Sequence, residues 1–267
     1  MKKTLVALTV GALAFGAYAE FKKNPDANTL WSEEGGNTVY GASAGTTWRI
    51  TGGGIKPVKD AKNMVFGGTR DFGRYVPVSA EYPYFIVKVN ANERNPKGYN
   101  AFNASLPNGF HVLSVVTQIP AGTYVVKHGM DVKRDQYLRI DYFGNKITIG
   151  KMAMVKVPEV AVDMAPAVLK KGGELTLTVR LQKEADAVDV KFFKAYTMPK
   201  IKLNGKDSYE MKGDDSGKVW TLKVKYDNFS NFKPGEKLKR TNVLFAFEII
   251  RGDKTEMVYA PSTFVTE

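Results

Sequence analysis

Only two histidines occur in the chain, His111 and His128. With Asp131 close behind the second they could make a two-histidine, one-carboxylate metal site. Each is expected at a strand end, where a histidine usually faces water, so no metal is called for. A serine nucleophile would need the strained G-x-S-x-G turn, and that motif is absent. Two carboxylates about 5–10 Å apart could hydrolyse a glycosidic bond, but Asp and Glu here fall mostly in turns or at solvent-facing positions. Asp214-Asp215, in "KGDDSGK", reads as the polar part of a hairpin turn. Gly52-Gly53-Gly54 and the run "GGTRDFGRY" lack the Lys-Ser/Thr of a phosphate loop. No kinase elements surround Asp71-Phe72-Gly73, and no alternating run of oxygen ligands suggests a calcium loop. Arg251-Gly252-Asp253 lies between two alternating strands, where Gly252-Asp253 suits a tight turn.

The residue types point to binding without catalysis or a cofactor. A sugar ring presents apolar C–H faces and hydroxyl edges, and exposed aromatic planes beside Arg, Asn, Asp and Glu can grip it. Trp31, Tyr40, Trp48, Tyr75, Tyr99 and Phe102 are expected in loops, with Arg70, Asp71, Arg74 and Asn100 close by in sequence. Trp48 suits a core position better. The binding set is therefore Trp31, Arg70, Arg74, Tyr75, Tyr99 and Asn100, centred on "GTRDFGRYVP" and "ERNPKGYNAFN".

Short alternating apolar runs must position these residues. They recur between Gly, Pro, Asn and Asp, and almost no helical period is present, so the fold is all-β. Residues 159–267 are the clearer half. "ELTLTVRL" sets Leu175, Leu177, Val179 and Leu181 on one face, and "AVDVKFF" does the same with Val188, Val190 and Phe192. Asn204-Gly205 marks a two-residue hairpin, because both turn positions need a positive φ. "KVWTLKVKY" turns Trp220, Leu222, Val224 and Tyr226 inward, and "NVLFAFEII" does so with Val243, Phe245, Phe247 and Ile249. About seven such strands in roughly a hundred residues make an immunoglobulin-like β-sandwich. Residues 20–158 carry more loops, and "EYPYFIVKVNA" reads as a middle strand. "FHVLSVVTQ", "GTYVVKHGM" and "YLRIDYFGNKITIGKMAMVKV" complete a jelly-roll β-sandwich. The boundary is expected at Pro158.

Three runs, "YPYFIVKV", "IPAGTYVVK" and "FGNKITIGKMAMVKV", resemble the galactose-binding-like jelly-roll domains, to which many carbohydrate-binding modules belong. The resemblance covers about half the chain and rests on strand rhythm. It implies a glycan ligand for residues 20–158. Such domains are often followed by immunoglobulin-like domains in secreted glycan-handling proteins, and a binding role without an attached catalytic domain is the expectation here.

Export follows from residues 1–19. Lys2 and Lys3 precede the apolar run Leu5 to Phe15, and Ala17-Tyr18-Ala19 fits a signal-peptide cleavage site. No later run is long and apolar enough to span a membrane as a helix. The expected location is periplasmic or extracellular. The absence of cysteine excludes disulfides, zinc–thiolate sites and thiol nucleophiles. The net charge is +12. Residues 20–158 hold 18 Lys+Arg against 11 Asp+Glu, and residues 159–267 hold 19 against 16. No Lys/Arg cluster suggests a nucleic-acid partner. The expected partner is a polysaccharide or other glycan. The alternatives are a structural or assembly protein that binds envelope proteins, and a small glycan-active hydrolase.

Overall fold

The computed structural model describes residues 20–40, 73–92, 101–105, 111–116, 120–127, 137–143, 147–166, 168–194, 200–230 and 238–266. The described strands are β1 (Glu20–Asp26), β2 (Thr29–Tyr40), β3 (Gly73–Pro77), β4 (Tyr84–Asn92), β5 (Ala101–Ser105), β6 (His111–Val116) and β7 (Gly122–Lys127). They continue as β8 (Tyr137–Phe143), β9 (Ile147–Val155), β10 (Val160–Ala165), β11 (Val168–Leu169), β12 (Glu174–Leu181) and β13 (Ala187–Lys194). The last are β14 (Lys200–Ile201), β15 (Ser208–Glu210), β16 (Lys212–Gly213), β17 (Val219–Lys225), β18 (Leu238–Arg251) and β19 (Lys254–Thr266). The fold is all-β, as the periodicity predicts, and its layered sheets are those of a β-sandwich architecture.

Among the described residues, one large sheet runs β1-β2-β9-β4-β7-β19-β18-β13-β14, with β11 and β15 paired at its margins. Two four-stranded sheets accompany it, β10-β12-β17-β16 and β3-β8-β5-β6. The boundary expected at residue 158 falls between β9 and β10. The large sheet nevertheless takes strands from both sides of that boundary. They join where β7 pairs in parallel with β19, Val258 with Thr123 and Tyr259 with Tyr124.

The seam is tight. Tyr124 and Tyr259 stack with ring centroids 4.8 Å apart, and the Tyr124 hydroxyl donates to the Pro120 carbonyl at 3.1 Å. Burial, and then the neighbouring Tyr259, push the Tyr124 phenol well above its ordinary range. Gly122 sits at φ 142°, and a Cβ there would lie 2.7 Å from both the Met257 carbonyl oxygen and the Tyr259 ring. Only glycine lets the two strands approach this closely.

Because side chains alternate across a strand, the large sheet has two differently used faces. On one, Trp31, Phe85, Val87, Val89, Tyr124, Val126, Met152 and Met154 are buried. On the other, Val188, Val190, Phe192, Val243, Phe245, Phe247 and Ile249 join Leu175, Leu177, Val179, Trp220 and Leu222 of the β10-β12-β17-β16 sheet in one core. Tyr84, Val125, Ala153 and Val155 belong to the same core, so it too extends across residue 158. Trp220 is a core residue as expected. Its indole packs over Gly213, and its Nε1–H donates to the Gly217 carbonyl at 3.0 Å. Asn204 (φ 50°) and Gly205 (φ 80°) form the predicted turn.

Candidate functional site

Where the second core ends, the same sheet face opens into a cleft of about 320 Å³. Its floor is built by register. Ile86 and Val125 lie side by side on β4 and β7, and the next row holds Lys151, Lys88 and Thr123. Thus the face changes from aliphatic to hydrogen-bonding within one pleat. The wall is the crossing segment Val157 to Val160, with Asn28, Gln182 and Glu256 at its margins.

The wall is fixed by main-chain and side-chain hydrogen bonds. Asn28, in the β1–β2 turn, accepts from Lys156 N–H through its carbonyl at 2.9 Å. Its side chain donates to the Val157 carbonyl and accepts from Val157 N–H, each at 2.9 Å. Asp26 in turn holds Asn28, accepting from its N–H at 2.7 Å and from the Thr29 hydroxyl at 3.2 Å. On the other side, Gln182 N–H donates to the Glu159 carbonyl at 3.0 Å. Val157, held between these anchors, is 57% exposed, the most conspicuous apolar side chain on the described surface.

Beside the cleft, Lys127 of β7 donates to Asp163 of β10 at 2.6 Å, and Arg180 of β12 pairs with the same carboxylate. Burial is the largest single influence on Asp163 and pushes its carboxyl up. The hydrogen bonds and charges of Lys127 and Arg180 outweigh it and hold the group below its ordinary value. The hydrogen bond to Asp163 raises Lys127. These are exposed pairs, worth little individually, but they tie β7 to the sheet packed against it.

Of the binding set expected from sequence, Trp31, Arg74 and Tyr75 fall among the described residues. Trp31 is 0% exposed, in β2 rather than a loop. Its ring lies 6.2 Å from that of Phe85 at an interplanar angle of 43°. A buried indole has no free face for a sugar, so Trp31 is a core residue. Arg74 and Tyr75 lie in β3, register partners of Ile140 and Arg139. Arg70, Tyr99 and Asn100 fall outside the described residues, as do Trp48, Asp71, His128 and Asp131. His111 begins β6. No group of three or more His, Cys, Asp or Glu among the described residues is arranged to hold a metal ion. No described segment is a helix long and apolar enough to cross a membrane.

Two other motifs resolve as turns. Asp214 accepts from the Ser216 hydroxyl at 2.8 Å and from Lys218 and Val219 N–H at 3.2 and 3.1 Å. These bonds, Ser216 first, hold its carboxyl below the ordinary value. Arg251 donates to the Glu184 carbonyl at 2.8 Å and to Glu256 at 2.9 Å, and Gly252 N–H donates to Asp186 at 2.5 Å. Gly252 takes φ 58°. The arginine of Arg-Gly-Asp is thus committed to its own fold, as the turn reading expects.

The cleft residues Lys88, Lys151, Thr123 and Gln182 were not singled out by the sequence. Their one signal is that Lys88 interrupts "YFIVKV" at a position whose strand neighbours Val87 and Val89 point the other way.

No known protein family matches the chain, and no curated protein matches it either. Solved structures of β-glucuronidases overlap it in part. One from Parabacteroides merdae, with glycerol in its active site, is 12% identical, with a TM-score of 0.25 over 72% of this chain and 27% of that one. One from Ruminococcus gnavus is 12% identical, with a TM-score of 0.22 over 73% of this chain and 35% of that one. One from Lactobacillus rhamnosus has the same four values. This chain spans between about a quarter and about a third of the length of those proteins, and so loose an overlap assigns no activity.

Proposed function

We propose that this is an exported, non-catalytic glycan-binding protein whose ligand lies in the cleft beside residues 157–160. One observation carries the reading. A cleft of about 320 Å³ combines an aliphatic floor with hydrogen-bonding side chains of several chemistries, including Thr123, Gln182, Lys88, Lys151 and Glu159. Sugars need that mixture: apolar contact for C–H faces, and both donors and acceptors for hydroxyls. The volume is at the small end for ligand pockets and suits one or two sugar rings of a longer chain. Grip would come from hydrogen bonds on a rigid sheet, since no aromatic ring lines the cleft among the described residues. That makes the expected affinity modest and dependent on several sugars binding at once.

The test is a titration of the purified protein against neutral and acidic polysaccharides, repeated with Thr123→Trp. The substitution fills the cleft from a partly exposed strand position without changing charge. Saturable binding that disappears in a folded Thr123→Trp protein supports the reading. Binding that survives the substitution puts the ligand elsewhere, and no binding to any polysaccharide ends the glycan reading.

A further inference from the structure

The charge of the second half is gathered at one end. Residues 159–267 hold 19 Lys+Arg against 16 Asp+Glu. Three short segments, 170–174, 200–207 and 225–230, hold six lysines against Glu174, Asp207 and Asp227, a net charge of +3 that equals the excess of the whole half. They are separated in sequence, but strand direction brings them together. β12 starts at Glu174, β17 ends at Lys225, and these two residues are register partners. Leu203 bridges to Phe229, which draws the remaining segment to the same end. At the opposite end of these strands, residues 182–186, 214–218 and 251–254 hold four Lys+Arg against five Asp+Glu.

Hydrogen bonds hold the three basic segments as one platform. Gly172 N–H donates to the Tyr226 carbonyl and Tyr226 N–H to the Gly173 carbonyl, each at 2.7 Å. Asn204 is the hub: its side chain donates to the Lys225 carbonyl at 2.6 Å and accepts from Asp227 N–H at 2.8 Å. Lys202 N–H donates to the Ser230 hydroxyl at 2.7 Å. All six lysines are exposed. Lys171 pairs with Asp227 at 3.1 Å and Lys202 with Asp207 at 3.3 Å, but exposed pairs of this kind are weak, and the platform keeps its net charge. The apolar residues beneath it, Leu203, Tyr226 and Phe229, are buried. The result is a rigid array of ammonium groups over a sealed core. Among the described residues it offers no large apolar side chain for insertion, so its attraction is for a layer of negative charge.

We propose that this end of the molecule docks on an anionic membrane surface, its lysines against lipid phosphates. A layer of headgroups meets all three segments at once. Docking in this way turns the cleft outward: Gln182, at the cleft margin, follows the far end of β12, whose 8 residues span about 25 Å. The inference is independent of the glycan reading, since no cleft residue belongs to the platform.

The test is cosedimentation of the purified protein with vesicles of mixed phosphatidylglycerol and phosphatidylcholine, and of phosphatidylcholine alone, at about 0.15 M salt. Binding to the mixed vesicles alone is expected. Lys171→Gln, Lys206→Gln and Lys225→Gln together should weaken it by at least about tenfold, since each lysine near an anionic bilayer contributes about fivefold. Lys183→Gln, Lys218→Gln and Lys254→Gln together remove the same charge from the far end and should leave it intact. None of the six residues is buried, so both variants should fold. Thr123→Trp should leave vesicle binding unchanged, and its loss in that folded variant would put the contact at the cleft and overturn the inference. Equal weakening by the two triple variants also overturns it, because net charge then explains the binding. So does equal binding, or no binding, of the two kinds of vesicle. Binding of dextran sulfate or duplex DNA in place of vesicles, lost in the first triple variant, overturns it by assigning the platform to a soluble polyanion.

Discussion

The large sheet shows one face used in two ways. Across β13, β18 and β19 that face carries Val190, Phe247 and Val258, sealed under the β10-β12-β17-β16 sheet. Across β9, β4 and β7 it carries Ala153, Ile86 and Val125 and then, one pleat further, Lys151, Lys88 and Thr123. The strands are hydrogen-bonded into one structure throughout, so the backbone does not distinguish the two parts. Coverage does: the packed sheet ends, the crossing segment bends over the edge of the core, and the uncovered pleat becomes a cleft. A cleft of this kind is the unfilled continuation of a core, and rigid for that reason.

The sharpest way to break the comparison is to hollow out each side. Trp31 and Phe247 are both fully buried, on opposite faces of the sheet. Trp31→Ala and Phe247→Ala should each cost about 4 kcal/mol. Because the sheet and the second core both cross residue 158, each should shift one shared unfolding transition, followed by circular dichroism in urea. Two transitions, only one of which moves, would mean that the two parts fold independently despite the seam.

Gly122→Ala strikes the seam itself. The added methyl meets a main-chain oxygen and the Tyr259 ring, in a conformation alanine rarely adopts, so a loss of about 3 kcal/mol is expected. A thermal melt unchanged within about 0.5 kcal/mol would show that β7 and β19 do not approach as closely as described.

Asn28→Ala removes both side-chain hydrogen bonds that hold Val157. About 1–2 kcal/mol of stability should be lost. Glycan affinity should fall as well, although Asn28 acts on the cleft wall rather than as the main ligand contact. Asn28→Asp keeps the acceptor for Val157 N–H and should recover part of the stability. A stable Asn28→Ala protein with full affinity would free the cleft from the crossing segment.

The smallest effect concerns pH at the Lys127–Asp163–Arg180 cluster. Asp163 has a folded pKa below its ordinary 3.8, so its contribution is present above that value and is lost as the pH falls through the folded pKa. Lys127 is raised above 10.5, so its contribution is full below that value and is lost as the pH rises through the folded pKa. Asp163→Asn should flatten the acid limb of a stability–pH curve below about pH 4. An acid limb as steep as that of the parent protein would assign it to other carboxylates.

Period-two alternation made the sealed part of the sheet legible. Leu175 to Leu181 on β12, and Val243, Phe245, Phe247 and Ile249 on β18, point inward as read. β18 also buries Leu244 and Ala246 on its other face, a double burial that alternation cannot announce. The β1–β2 hairpin escaped because "EEGGN" interrupts any apolar rhythm, and with it went the burial of Trp31. The cleft escaped for a different reason. Lys88, Lys151 and Thr123 become neighbours only through the pairing of β9, β4 and β7, and register between distant strands leaves no local mark.

The most direct test of the central claim is hydrogen–deuterium exchange of the protein with and without a saturating amount of the polysaccharide that binds in the titration. The account predicts slowed exchange in residues 86–90, 122–125, 149–153 and 156–160, around the cleft. Protection confined instead to residues 70–77 and 93–102, where the aromatic and arginine residues of the first expectation lie, would contradict it.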